Sequence, residues 1–194
     1  KIRATGGLTA EIFRELGAAP VAIAAAETYP AFQRGVIDAV SLSPSDIVAY
    51  RLHEIGPYYT RVDINVLILH YCLNRQSFDA LPDDLRASFY QLLRIRSQIA
   101  VQNFYSGPGH AHAFATLRDS GVEVFDLDGD ELERWRQRVT PLKELYIAQN
   151  EAEGLPAREV VADLEALAAE YAALTDEQIN DRIINSPTQG IIDL

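Results

Sequence analysis

Residues 1–42, KIRATGGLTAEIFRELGAAPVAIAAAETYPAFQRGVIDAVSL, decide the fold. Lys1-Ile2-Arg3-Ala4 reads as a short strand and Gly6-Gly7 as a turn. Leu8, Ile12, Phe13 and Leu16 then recur at helical spacing and make one apolar face. Gly17 stands where a helix is closed by a left-handed residue. The short apolar run 19–23 predicts a second strand. Residues 27–33 predict a second helix, with Pro30 tolerated in its first turn and Gly35 closing it. A third strand is expected over 36–42. Strand, helix, strand, helix, strand is the pattern of an α/β fold with largely buried strands.

Outward from there, Ser43-Pro44-Ser45-Asp46 is a helix start. Ser43 can cap, Pro44 suits the first helical position, and Asp46 sits three residues after the cap. That helix carries Ile47, Tyr50 and Leu52. Residues 57–74 read as extended, with 66–73 the most apolar strand of the chain, and 77–81 as one helical turn. From 82 to 119 the pattern is helical, striped by Leu85, Phe89, Leu92, Leu93, Ile95 and Ile99, with a break expected at Gly107-Pro108-Gly109. A strand is expected over 121–127, then helices over 130–150, 156–173 and 176–184, and an irregular tail over 185–194.

The chain has 194 residues, of which 17 are Lys or Arg and 28 are Asp or Glu, a net charge of −11. Such a surface is repelled by phosphate backbones, so no nucleic-acid partner is expected. No apolar run reaches the length needed to span a bilayer. A single cysteine, Cys72, allows neither an internal disulfide nor a cysteine zinc cluster. Lying in the apolar run, it is expected to be a buried strand residue. The first residue is Lys1, no Met is present and the first seven residues have no apolar leader core, so we expect that either a leader was removed or a longer upstream part precedes this sequence.

Arg3 combines a planar two-point carboxylate grip with a strand end next to a helix N-terminus, a sensible corner for an acid. An ordinary surface arginine on a short strand is the bland alternative. His110 and His112, at i and i+2, do not share a helical face and are expected to be exposed histidines at the break. His70 and Cys72 share a strand face, where burial is the simpler reading. Ser41, Ser43 and Ser45 lie at a strand-to-helix junction, and capping already explains Ser43. No nucleophile elbow, P-loop or H-E-x-x-H motif is present, and the acids between 151 and 181 read as the solvated face of the last helices.

Several segments together resemble the periplasmic solute-binding proteins of TRAP transporters. Lys1-Ile2-Arg3-Ala4-Thr5-Gly6-Gly7 is similar to that family's K-[IL]-R-x-x-G-G. Leu16-Gly17-Ala18-Ala19-Pro20-Val21 is similar to L-G-A-x-P-V, and the stretch from Ala26-Glu27-Thr28-Tyr29 to Asp38 to S-E-V-Y-x-A-L-Q-x-G-x-x-D. Leu52-His53-Glu54-Ile55 and Tyr58-Tyr59-Thr60 match the approach to the inter-domain strand. Asn74-Arg75-Gln76-Ser77-Phe78-Asp79-Ala80-Leu81-Pro82 resembles N-K-x-x-[FW]-D-x-L-P, and Gly121-Val122-Glu123-Val124 resembles G-V-E-V. Order and spacing agree over about residues 1–170.

The resemblance implies an α/β, periplasmic-binding-protein-like architecture of two domains around a cleft, of which this chain is the C-terminal part. It implies a ligand-binding domain II segment over 1–62, an inter-domain strand and long helix, partly of domain I, over 63–119, and a C-terminal strand and helices over 120–194. It implies a non-enzymatic protein of the periplasm, without cofactor or metal, that binds a small organic acid and hands it to TRAP membrane permease subunits. Arg3 would pair the ligand carboxylate. Ala25 stands where an aromatic is usual and Leu42 where an asparagine is usual. Both departures favour an acid with few hydroxyls, to which Ser41 and Ser43 could add one or two hydrogen bonds. Asp63 either orients a ligand hydroxyl or simply closes its strand. Two other readings compete: an α/β enzyme on an organic acid with His70 or Asp63 as base, and an acidic interaction domain with no small ligand.

Overall fold

The computed structural model describes residues 1–66, 70–101 and 107–185. Its first unit is a parallel sheet of β1 (Ile2–Arg3), β2 (Pro20–Val21) and β3 (Ala39–Val40) in the order β2-β1-β3. β1 is central: Ile2 faces Pro20 on one side and Ala39 on the other, and Arg3 faces Val21 and Val40. Helix α1 (Leu8–Glu15) connects β1 to β2, and a 3-10 turn (Ala25–Glu27) runs into α2 (Thr28–Gln33) before β3. The strands are shorter than the apolar runs predict. β1 is cut short by Thr5-Gly6-Gly7, so it offers its neighbours only two residues to pair with.

Local signals set the helix ends. Gly17 takes φ +86°, and Ala18 N–H reaches Phe13 O at 2.8 Å while Gly17 N–H reaches Arg14 O at 2.9 Å. That is a Schellman closure, which a Cβ would strain. Gly35, at φ +69°, closes α2 with the same pair of bonds, to Ala31 O and Phe32 O. Ile12, Phe13, Ala31 and Ile37 are buried around this sheet, Ile37 completely.

Helix α3 (Pro44–Ala49) starts as the sequence indicates, with Ser43 Oγ accepting from Asp46 N–H at 3.1 Å. A 3-10 turn (Leu52–Glu54) leads to β4 (Tyr58–Arg61), which pairs in parallel with β5 (Glu123–Asp126) in a second, two-stranded sheet. Helix α6 (Pro108–Asp119) packs on α3. Ile47, Leu52, Phe114, Leu117 and Val122 form the main apolar cluster, joined by Tyr29, Phe32, Val40, Leu42 and Tyr59. Side chains from both sheets therefore share one core.

The remaining helices are α4 (Arg75–Asp79), α5 (Asp83–Val101), α7 (Gly129–Val139), α8 (Pro141–Ala152), α9 (Ala157–Ala172) and α10 (Asp176–Asn185). The break at Gly107 is present: it sits extended as the N-cap of α6, with Pro108 at the first position. The single helix expected over 130–150 is two, because Pro141 has no N–H to continue the ladder and opens α8 instead.

The strand expected over 66–73 is not formed by the described residues there. Val66 and 70–73 join no ladder, and Leu67, Ile68 and Leu69 lie outside the described residues. Cys72 is accordingly exposed rather than buried, and Val66, Tyr71 and Leu73 are exposed with it. An apolar run becomes a buried strand only where neighbouring strands supply hydrogen bonds, and among the described residues neither sheet takes in Val66 or 70–73. His110 is half-buried edge-on to Phe114, with ring centroids 4.9 Å apart, and only His112 is exposed. Asn185 belongs to α10, and the tail beyond it lies outside the described residues.

Candidate functional site

Arg3 ends the central strand of the first sheet, at its carboxyl edge. In parallel α/β sheets that edge is where ligands bind, close to where the strand order reverses. The order β2-β1-β3 puts that reversal between β1 and β3. Arg3 is 7% exposed. Its Nε donates to Ile23 O at 3.2 Å, which swings the guanidinium under the loop between β2 and the 3-10 turn. Nη1 is buried and has no hydrogen-bond partner among the described residues. A buried guanidinium N–H left unmatched costs free energy until an acceptor arrives.

Ser41 follows β3 beside it, its N–H donating to Arg3 O at 2.9 Å. Ser41 is half-buried, and its hydroxyl has no partner among the described residues. Ala25 opens the 3-10 turn two residues beyond Ile23 and is half-buried. Behind it Thr28 is fully buried, its hydroxyl donating to Ala24 O at 3.2 Å. Arg3, Ser41 and Ala25 thus belong to one corner.

The other predicted residues are placed differently. Ser43 Oγ accepts from Asp46 N–H and donates to Asp46 Oδ2 at 2.8 Å, so its hydroxyl is committed to the cap. Leu42 is half-buried against the main apolar cluster. Asp63 is exposed in the segment after β4. Two residues on, Asn65 Nδ2 donates to Thr9 Oγ1 at 3.1 Å, which ties that segment to the first turn of α1. A cavity of about 160 Å³ lies at the β1–α1 corner, walled by Ala4, Gly6, Gly7, Ala10, Pro20 and Val21.

Ile23 O, Thr28, Thr9 and Asn65 were not singled out from the sequence. The Asn65–Thr9 tie joins residues 56 apart, and nothing local to either announces it. Near Asp63, the Tyr59 hydroxyl is pushed up to about 12, first by burial and then by the Asp63 charge. His70, Cys72 and His112 are exposed. Among the described residues no group of three His, Cys, Asp or Glu could hold a metal ion, and no helix is long and apolar enough to cross a membrane.

Two small parallel sheets with helices packed around them make an α/β fold of the periplasmic-binding-protein class, and solved structures share that fold. A TRAP solute-binding protein from Rhodoferax ferrireducens T118, in complex with copurified benzoate, matches with a TM-score of 0.76 at 19% identity, over 88% of this chain and 54% of that one. One from Bordetella bronchiseptica, with bound mandelates, gives 0.68 at 24% identity, over 85% and 53%. The C4-dicarboxylate-binding periplasmic protein DctP of Rhodobacter capsulatus is 28% identical over 143 residues, 73% of this chain and 42% of that protein. Residues 1–150 match the family described as bacterial extracellular solute-binding protein, family 7, and the chain belongs to that family. It spans about half the length of the relatives it matches. The family is periplasmic and non-enzymatic, which sets aside the reading of an enzyme with His70 or Asp63 as base.

Proposed function

We propose that this chain forms the carboxylate-holding part of a TRAP solute-binding protein, which captures a small organic acid between two domains and delivers it to membrane permease subunits. The observation that carries the reading is Arg3, a guanidinium buried without a matching acceptor for Nη1. A ligand carboxylate would supply the missing acceptor and cancel the buried charge, with the two parallel bonds that only arginine offers. Closure would follow as a shift toward the state in which both domains touch the ligand. In this reading 1–62 contributes the domain II segment, 63–119 the connection and long helix, partly of domain I, and 120–194 a strand and helices that pack back on the domains.

The rest of the site follows from which polar groups are left over. Ser43 is occupied by its cap and Leu42 by the core, so Ser41 is the hydroxyl left for a ligand on this wall. Ala25 offers no ring and no polar group to a ligand, and Asp63 remains a candidate for one ligand hydroxyl. A site this poor in polar partners rejects ligands that would leave hydroxyls unpaired. We therefore favour a branched-chain, aromatic or short oxo acid over a sugar acid.

Calorimetry on the full-length protein with a panel of acids tests both statements. Arg3→Lys should weaken the best acid by about 1.5–3 kcal/mol, the range for hydrogen bonds to charged groups. Unchanged affinity in that variant removes Arg3 from the site. Tight binding of galacturonate, in preference to benzoate and branched-chain acids, overturns the ligand preference alone.

A further inference from the structure

The turn that joins the Arg3 strand to α1 is held by little of its own. Thr5-Gly6-Gly7 includes two exposed glycines, the residues that restrain a backbone least. Among the described residues the backbone of Thr5 and Gly6 makes no hydrogen bond. The turn stands over the cavity of about 160 Å³ at the β1–α1 corner. Gly7 is the N-cap of α1, so the helix begins without the side-chain acceptor that usually fastens a first turn.

The fastening comes from elsewhere in the chain. Thr9, in the first turn of α1, is buried, and its hydroxyl oxygen accepts from Asn65 Nδ2 at 3.1 Å. Asn65 lies in the stretch 62–66, which joins no ladder among the described residues. That stretch is pinned upstream as well. Arg61, at the end of β4, grips Asp126 of β5 with two bonds of 2.6 and 2.8 Å. Between the two ties, Ile64 N–H reaches Val62 O at 2.9 Å, a three-residue turn centred on Asp63. From Arg61 to Asn65 the chain can reach at most about 14 Å. The first turn of α1 is therefore strapped to the second sheet instead of being capped.

We infer that Thr9 and Asn65 are positioning residues of the acid site, their hydrogen bond holding the turn 5–7, and with it the Arg3 end of β1, in the shape that receives a carboxylate. This rests on the reading of Arg3 as the partner of the ligand. Arg3 is aimed by one bond to a loop carbonyl, and a turn that shifts two residues further on moves the strand end that carries it. A site already ordered before its ligand arrives binds more tightly, because less ordering remains to be done.

The test uses the full-length protein, calorimetry, and benzoate, isovalerate, pyruvate and galacturonate as probes. Thr9→Val removes the hydroxyl at nearly constant shape, and Asn65→Ala removes the donor. Each should weaken the tightest of these acids about two- to tenfold, the range of one ordinary hydrogen bond. The double variant should lose no more than either single one, because the two side chains share one interaction. Thr9→Ser keeps the oxygen and should bind as the parent does. Hydrogen exchange gives the local readout: in Asn65→Ala the amides of 5–9 should exchange faster while those of α3 keep the parental rate. Asn65 is exposed, so that variant should fold, and the α3 amides check it. Unchanged affinity in both single variants, additive losses in the double one, an equal loss in Thr9→Ser, or parental exchange over 5–9 would each overturn the inference and leave Arg3 in place. Unchanged affinity in Arg3→Lys, or no binding of any of these acids, removes the reading of Arg3 and this inference with it.

Discussion

Arg3 and Ser43 stand at the carboxyl edge of the same small sheet and answer different demands. Arg3 is held by one hydrogen bond to a loop carbonyl and leaves Nη1 unspent, so its environment is completed only from outside. Ser43 spends both hydroxyl functions on Asp46. Ser43→Ala should therefore cost about 1 kcal/mol of stability, as for other lost caps, while leaving acid affinity alone. Urea unfolding with parallel calorimetry separates the two, and a large loss of affinity would put Ser43 back in the site. Tyr59 offers a pH test. Its ionisation lies near 12 in the folded protein, against about 10 for a solvated tyrosine. The native state thus holds its phenolic proton more tightly than the unfolded chain. The stabilisation is full below pH 10 and is lost as the pH rises from there through 12. Ultraviolet titration should show one tyrosine ionising late, and Tyr59→Phe should flatten that limb of the stability curve.

Among the elements, those of 1–50 were the most legible in the sequence. Their signals are local: glycines at 17 and 35 closing helices, and Ser43-Pro44 opening one. The tertiary partners were not. β5 is readable as a strand from 121–127, but not its pairing with β4. The run 66–73 has the composition of a strand, but composition cannot supply a pairing neighbour, and among the described residues Val66 and 70–73 have none. The site divided in the same way. Arg3 could be picked out beside its turn, whereas the loop carbonyl that aims it and the Asn65–Thr9 tie depend on contacts across 20 and 56 residues. Gly56 is a further feature that only the packed elements reveal. A Cβ there would come within 2.9 Å of Phe32 Cε1 and 3.3 Å of Leu52 O. Gly56→Ala should destabilise by about 1–3 kcal/mol, the usual cost of overpacking, seen as a lower denaturation midpoint with an unchanged slope. A neutral result would mean that the Phe32 ring swings aside freely.

At the scale of the whole molecule, the pairing of β4 with β5 joins residues 65 apart in sequence. The first sheet is assembled from the opening forty residues, whereas the second must first bring distant stretches together. Closing a loop costs entropy before any contact repays it, and chains rich in distant contacts fold slowly. The two sheets should therefore differ in when they form. In refolding experiments, Ile37→Val, in the first unit, should slow folding in proportion to its loss of stability. Val124→Ala, on β5, should act mainly by speeding unfolding. Should Val124→Ala slow folding the more, the distant strands would meet first. In the expected order, the corner around Arg3 takes shape early, before the strand that joins it to the rest of the molecule has found its partner.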